Sequence, residues 1–199
     1  LDETRIWNYA RTQAQIQSTI NVEITGAPPG LLGRWGMNEG TGTTVGDSSG
    51  HSINGTAIGA PGWVAGYLFS PDPASPDNYG LDFGGSNSYV TFGQADGLDA
   101  AQFTIETWFR KEGAGVAANT GNGGLSAVPL VTKGRAEAEN SNVDMNYFLG
   151  LDAATGKLAA DFEDMATAAN HPIIGTTVVS SNVWHHAAAT YDGTTWRLY

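Results

Sequence analysis

The sequence contains no cysteine, which excludes disulfide bonds and thiolate metal sites. Basic residues are also scarce, since 9 Lys and Arg stand against 20 Asp and Glu and give a formal net charge of -11. This charge argues against nucleic-acid phosphates or anionic membranes as partners and suits cations and neutral glycans better. No apolar run approaches the roughly 20 residues that cross a bilayer, and no basic-then-apolar signal opens the sequence. We therefore expect no nucleic-acid partner and no membrane insertion; the signal of a secreted parent protein would lie outside this sequence.

The residues that are present have the pattern of many short strands joined by turns. There are 27 glycines and only 15% charged residues, and short apolar runs are separated by Gly, Asn, Asp and Ser. A chain of 199 residues with 41% hydrophobic residues can bury the core of one substantial sandwich. The composition therefore predicts a single all-β domain.

The N-terminal segment predicts a strand followed by a helix. Residues 1–8 contain the β-formers Thr, Ile and Trp in an alternating pattern. Thr12, with Gln15 three residues later, forms a capping-box pattern at the start of a short helix. Residues 26–30 (GAPPG) then stop regular structure, because proline lacks a backbone donor. We interpret this stretch as a linker or domain boundary.

Short strands recur along the rest of the chain. The segments with strand patterns are residues 31–38, 79–83, 88–92, 103–110, 130–132, 146–151, 157–163, 176–179, 183–191 and 194–199. Residues 39–52 and 60–78 are rich in glycine, serine or proline and are interpreted as loops. Asp192 and Gly193, between two β-forming runs, predict a hairpin with a two-residue turn.

Six short motifs follow one another along the sequence. They are residues 32–40 (LGRWGMNEG), 46–50 (GDSSG), 54–56 (NGT), 81–85 (LDFGG), 103–109 (FTIETWF) and 184–193 (WHHAAATYDG). In this order they resemble the laminin-G-like jelly-roll domains of the concanavalin A-like lectin/glucanase superfamily. The resemblance covers nearly the whole chain. It implies an antiparallel two-sheet jelly-roll sandwich, here with one short N-terminal helix, from a large secreted bacterial repeat protein.

Residues 1–11 (LDETRIWNYAR) resemble the last strand and closing helix of such a domain, although they precede its first strand. The resemblance divides the chain into residues 1–25, the closing strand and helix; 26–30, the linker; and 31–199, a jelly roll that lacks its last strands. Residues 1–25 either end an upstream copy in a tandem array, which we favour, or supply a closing strand to this or a neighbouring sandwich. The second alternative makes the protein a self-assembling subunit, because unpaired strand edges accept a strand from another chain.

The resemblance also implies a structural calcium ion near the closing strand and the first long loop. The candidate ligands are Asp2, Glu39, Asp47 and Asn54. Calcium takes about six to eight oxygens, which carboxylates, amides and the carbonyls of a Gly/Ser-rich loop can supply. The alternative is that Asp47 and Asn54 only shape turns by hydrogen-bonding to the backbone. Asn140, Asn142 and Asp144 also alternate like calcium ligands, but without the turn glycine and terminal Glu of a calcium loop they favour a simple turn.

A second candidate site is a ligand-binding surface formed by Trp108, Glu106 and Tyr147. In residues 103–110 Glu106 and Trp108 lie on the strand face opposite the apolar face, which could therefore line a groove. Aromatic rings suit the apolar faces of pyranose sugars, so Trp108 and Tyr147 are candidate stacking residues for a glycan. Packing in the core is the alternative for each ring.

Two carboxylates, Asp161 and Glu163, share one face of a predicted strand, which raises the possibility of glycoside hydrolysis. The resemblance implies a third acid at alternating positions, with the two catalytic carboxyl groups about 5 Å apart. The position two residues before Asp161 is Ala159. We therefore expect a solvated acidic face and no catalysis.

The expected function is a non-catalytic binding or adhesion module, stabilised by calcium, on the surface of a bacterium or in the extracellular space. Its partner would be a glycan, an extracellular protein or another copy of itself. The alternatives are a structural spacer or a self-assembling filament subunit joined by strand donation and, less favoured, a glycoside hydrolase. Since one fold serves many functions, this expectation rests on the resemblance alone.

Overall fold

The computed structural model describes residues 1–24, 26–67, 78–85, 87–134, 138, 141 and 144–199. Two residues of the alternating Asn and Asp pattern, Asn140 and Asn142, lie outside the described residues. The first half contains β1 (Asp2–Trp7), α1 (Gln13–Thr19), β2 (Leu31–Trp35), β3 (Thr44–Val45), β4 (Gly55–Ile58), β5 (Gly62–Ala65), β6 (Tyr79–Asp82) and β7 (Tyr89–Thr91). After a 3-10 turn at Asp96–Leu98 come β8 (Phe103–Arg110), β9 (Ala118–Asn119), β10 (Ser126–Lys133), β11 (Tyr147–Asp152), β12 (Lys157–Asp164), β13 (Ala169–Asn170), β14 (Ile173–Val178), β15 (Trp184–Tyr191) and β16 (Trp196–Leu198).

Two antiparallel sheets form the body of the fold. One has the strand order β16-β15-β8-β1-β2, and the other has the order β13-β12-β11-β10-β9 with β14 also paired to β12. Smaller sheets, β3-β4-β7 and β5-β6, complete the part of the chain that the structure describes. The predicted all-β jelly-roll sandwich is therefore confirmed. Strands β3, β9 and β13 were not predicted, because a two-residue strand is too short to show an alternating pattern. Strands β4 and β5 were also missed, and the interpretation of residues 39–52 and 60–78 as loops is wrong at β3 and β5, where short strands lie among the glycines.

The hydrophobic core lies between the two main sheets. Ile105 and Phe109 from β8 meet Leu149 from β11 and Phe162 from β12, and all four are buried. This arrangement confirms the predicted inward face of β8. Alternate residues of each strand enter the core because successive side chains of a strand point to opposite faces.

Strand β1 is an interior strand of the five-stranded sheet and lies between β8 and the edge strand β2. Ile6 lies opposite both Gly33 and Ile105, and all six residues of the strand are buried. Helix α1 follows with the predicted capping box, in which the Gln15 backbone N–H donates to Thr12 Oγ1 (3.3 Å) and the Thr12 N–H donates to Gln15 Oε1 (2.8 Å). Residues 2–7 and 31–35 thus belong to one sheet, although residues 26–30 separate them in sequence.

The predicted hairpin after β15 is present, but its turn is longer than expected. Tyr191 lies opposite Trp196, so residues 192–195 form the connection in place of a two-residue turn. The Asp192 carboxylate accepts hydrogen bonds from the backbone N–H groups of Thr194 (2.9 Å) and Thr195 (2.7 Å). These hydrogen bonds from the backbone to the Asp192 side chain stabilise a connection longer than the predicted two-residue Asp-Gly turn. Among the described residues, no helix has the length and apolar character needed to span a membrane.

Candidate binding groove

The outer face of the five-stranded sheet is covered by residues 8–24 and holds a buried ion cluster. Glu3, 1% exposed, accepts from the guanidinium groups of both Arg5 and Arg34. Arg5 also donates to the backbone carbonyls of Thr19 (3.0 Å) and Val22 (2.6 Å). The cluster therefore fastens the covering segment to the sheet.

Glu106 belongs to the same buried layer and serves the fold. Its carboxylate accepts hydrogen bonds from Trp7 Nε1 (2.8 Å) and from the Arg11 guanidinium (2.6 Å). Burial raises the pKa of Glu106, but the hydrogen bond from His186 and the charges of Arg5 and Arg11 outweigh burial and hold the pKa below its ordinary value. Glu106 is thus ionised and inaccessible to a ligand: its Oε1 holds Trp7 and Arg11, and its Oε2 lies 3.5 Å from His186 Nε2.

The expected aromatic surface is not formed, because both rings are buried in different places: Trp108 lies on the outer face of the five-stranded sheet, whereas Tyr147, from the other sheet, lies in the core between the sheets. The Trp108 ring stacks on Tyr67 with 3.6 Å between ring centroids, and its Nε1 donates to the Ile20 carbonyl (2.8 Å). Tyr147 lies in the core, 1% exposed, with its ring centroid 5.1 Å from that of Phe103. This corrects the expectation that Trp108, Glu106 and Tyr147 share an accessible surface.

The candidate calcium ligands in the first long loop hold backbone groups. Asp47 Oδ1 accepts from the N–H groups of Arg34 (3.1 Å) and Ser49 (2.8 Å), and Oδ2 accepts from the Ile53 N–H (3.0 Å) and Ser49 Oγ (2.9 Å). An ionised carboxylate has about four lone-pair sites, so these four donors occupy all of them. Burial raises the pKa of Asp47, but the hydrogen bonds outweigh it and the pKa lies below its ordinary value. Asn54 Oδ1 in turn accepts from the Asp47 N–H (2.9 Å).

Glu39 and Asp2 do not complete an oxygen cage with Asp47. Glu39 Oε1 accepts from the Gly46 N–H (2.8 Å), whereas Asp2, on strand β1, accepts from the Tyr67 N–H (2.7 Å). No group of three or more His, Cys, Asp or Glu side chains suited to a metal occurs among the described residues. The donor set therefore fits turn formation and does not fit calcium, which remains a prediction from the resemblance.

Asp47→Ala is expected to lower the free energy of unfolding by about 2 kcal/mol, because four hydrogen bonds to a charged group are lost. The loss should be equal with calcium and with a chelator when unfolding is followed by circular dichroism. Glu39→Gln is the control, since an amide oxygen still accepts from Gly46. A calcium-dependent rise of the wild-type midpoint that Asp47→Ala abolishes would contradict turn formation and support a bound ion.

An open groove of about 1110 Å³ lies between the main sheets beside β10. Its apolar lining combines residues of both main sheets and of the small sheets: Leu81, Phe83, Val90, Phe109, Val128 and Leu151. Charged groups also line the groove, among them Arg110, which forms an ion pair with Glu112 and lies over the ring of Trp184, 5.5 Å from the centroid. The groove thus combines an apolar lining with charged groups.

One wall of the groove is an edge of strand β10. Strand β10 pairs with β11 over residues 127–133, but β9 covers its other side only at Ser126 and Ala127. Within the described residues, no strand pairs with residues 128–133 on that side. Residues 128–132 line the groove, so this edge borders it.

A family model described as the concanavalin A-like lectin/glucanases superfamily matches residues 83–199, which is more than half of the chain. The chain belongs to the laminin-G-like domains of this superfamily. Searches of curated proteins and of solved structures found no match. The superfamily contains both binding modules and glycosidases, so membership alone leaves the activity open.

In this laminin-G-like domain the carboxylate of Asp161 anchors a loop. Asp161 is fully buried, and its Oδ2 accepts from Thr120 Oγ1 (2.6 Å) while Oδ1 accepts from the His171 N–H (2.9 Å). Burial raises the pKa of Asp161 against the opposing effect of these bonds. The predicted solvated face is therefore wrong for Asp161, which is covered by the chain around Thr120.

The groove itself was missed by sequence reasoning. Its walls come from strands far apart in the chain, such as β6, β8 and β10, and no local pattern connects them. The ion cluster left a weak signal, because Glu3 and Arg5 place opposite charges on one face of a predicted strand. Such a pair on one strand face could have indicated a covered outer face.

Proposed function

We propose that this laminin-G-like domain is a non-catalytic binding module, extracellular or on the cell surface, and that its ligand is an extended polypeptide segment of a partner protein. The observation that carries the proposal is the apolar groove beside the edge of β10, which no strand covers at residues 128–133 in the part of the chain that the structure describes. Burying this apolar lining under a ligand would release ordered water and stabilise the complex.

The size of the groove favours a chain-like ligand. Its volume of about 1110 Å³ exceeds the range of about 300–1,000 Å³ that is usual for small-molecule pockets. Facing sheets of a sandwich lie about 10 Å apart, which is the thickness of one layer of interdigitating side chains. One extended segment therefore suits the space better than a compact small molecule.

The chemistry of the groove favours a polypeptide over a glycan. A sugar bound in the groove would bury its hydroxyl groups against side chains such as Leu81, Phe83 and Val90, which cannot form hydrogen bonds. Burying a hydroxyl group without a hydrogen bond is unfavourable. The net charge of -11 favours a partner whose exposed side chains are basic. Both of the oxygens of Asp161 are engaged by the fold, which supports a non-catalytic role.

Gly113→Trp tests the groove as the binding site. A Cβ at Gly113 would have no heavy atom within 4 Å, so the indole can enter the groove without disturbing the fold. We expect wild type to select peptides from a displayed library of random twelve-residue peptides, and Gly113→Trp to lose at least tenfold in affinity for them. Fluorescence anisotropy with the selected peptides measures the loss.

Thr177→Trp is the matched control, because Thr177 is exposed on β14 and does not line the groove. This variant should keep the wild-type affinity. A glycan array probed in parallel tests the other ligand class. Binding to glycans alone, or peptide binding that Gly113→Trp leaves unchanged, would show the proposal to be wrong.

A further inference from the structure

Resting on the proposed function, we propose how the polypeptide is held: it pairs its main chain with β10 at residues 131–133 and becomes the next strand of the six-stranded sheet. This mode supplies affinity through backbone hydrogen bonds and specificity through alternate side chains. Strand addition is a more specific proposal than binding in an apolar groove, because it requires the bound polypeptide to adopt a β conformation.

The pairing position follows from the irregularity in β10. Pro129 has no N–H to donate, and the register with β11 shifts between Pro129 and Val131. The regular part of the open edge therefore begins at Val131 and continues to Lys133, opposite Leu149 and Tyr147 of β11. Three residues give a short pairing site, with the remaining contact supplied by the groove.

The fold protects a comparable edge elsewhere. On the outer side of β2 the Arg34 N–H donates to Asp47 Oδ1 (3.1 Å), the Arg34 carbonyl accepts from the Ser48 N–H (2.8 Å), and the Leu32 carbonyl accepts from Ser49 Oγ (3.2 Å). These contacts occupy the groups that another strand would use. Within the described residues, the edge at 131–133 has no corresponding cap on the groove side.

The side-chain pattern of the ligand follows from the register of β10. Val131 lies opposite Leu149, a fully buried core residue, so Val131 belongs to the inward-facing layer. A strand added beside it would direct every second side chain inward, toward Phe83 and Val90, and the others toward solvent. The favoured ligand therefore alternates apolar residues with polar or basic residues.

The test uses the whole chain and a labelled ten-residue peptide with valine at every second position and threonine or lysine between. Two further peptides carry N-methyl groups, one on the backbone of the valines and one on the backbone of the intervening residues. An added strand turns only one of these sets toward β10, so we expect one N-methylated peptide to lose at least tenfold in affinity and the other to lose little. Hydrogen exchange followed by NMR should slow at amides within residues 131–133 when the unmodified peptide binds.

Equal binding of all three peptides, or no change in exchange at residues 131–133, would overturn strand addition. In that case peptide binding blocked by Gly113→Trp would still support the groove as the site, so the two proposals fail separately. Failure of the unmodified peptide to bind, while library peptides without alternation do bind, would also overturn strand addition and leave the groove proposal standing. A rearranged peptide of the same composition is the control for non-specific apolar contact.

Discussion

Glu3→Ala is expected to lower the free energy of unfolding by about 3–5 kcal/mol, as removal of one partner of a buried ion pair does. The Glu3 carboxylate is the shared acceptor of Arg5 and Arg34, whose side chains are 1% and 5% exposed. Alanine would leave both guanidinium groups buried beside an apolar methyl group. The free energy of unfolding of a native domain is only about 5–15 kcal/mol, so this single substitution removes a large part of it. Urea unfolding followed by tryptophan fluorescence measures it.

Arg197→Ala is the matched control for the Glu3 variant. Arg197 also pairs with a carboxylate, that of Asp192 at 3.1 Å, but its side chain is 47% exposed. An exposed ion pair contributes about 1 kcal/mol or less, so this variant should unfold close to wild type. Equal losses in Glu3→Ala and Arg197→Ala would contradict the role of the buried cluster in holding residues 8–24 to the sheet.

Features of the fold that depend on a local sequence pattern were predictable, whereas contacts between segments distant in the chain were not. The inward face of β8 was predicted from alternation alone, because Phe103, Ile105 and Phe109 point the same way in any strand. Its outer face was predicted as a groove wall, yet Trp108 donates to the carbonyl of Ile20. Nothing in the pattern of residues 103–110 reveals that residues 8–24 cover that face.

The same distinction explains the candidate sites. Asp47 and Asn54 shape a turn through bonds within a short stretch of sequence, and this alternative was recognisable beforehand. The groove depends on strands such as β7 and β10 lining the same space, and on an edge of β10 that no other described strand covers at residues 128–133. The alternation of apolar and polar residues within a strand does not show which distant strand lies beside it. The groove could therefore be recognised only in the three-dimensional structure.

The buried carboxyl group of Asp2 predicts an unusual dependence of stability on pH. Burial raises the pKa of Asp2 to about 7, against the opposing hydrogen bond from the Tyr67 N–H, and Oδ1 has no hydrogen-bond partner among the described residues. The folded state therefore binds a proton between about pH 4 and pH 7 that the unfolded state, with an ordinary pKa of 3.8, has released. The contribution of Asp2 to stability is fully present below about pH 4 and is lost as pH rises through 7. At about 1.4 kcal/mol for each pH unit, the loss between a pKa of 3.8 and one of about 7 amounts to about 4 kcal/mol.

Asp2→Asn should remove this pH dependence, because the amide carries no charge at any pH and its oxygen can still accept from Tyr67. We expect the variant to match wild type near pH 4 and to exceed it by up to about 4 kcal/mol at pH 8, measured by urea unfolding at both values. Asp192→Asn is the control with the opposite dependence of stability on pH. Hydrogen bonds lower the pKa of Asp192, so the contribution of its carboxylate to stability is lost only as the solution becomes acidic. Parallel pH profiles for wild type and Asp2→Asn would mean that the Asp2 carboxylate ionises in the folded state without cost. That result would contradict its burial beside Tyr67, and with it the close packing of β1 between β2 and β8.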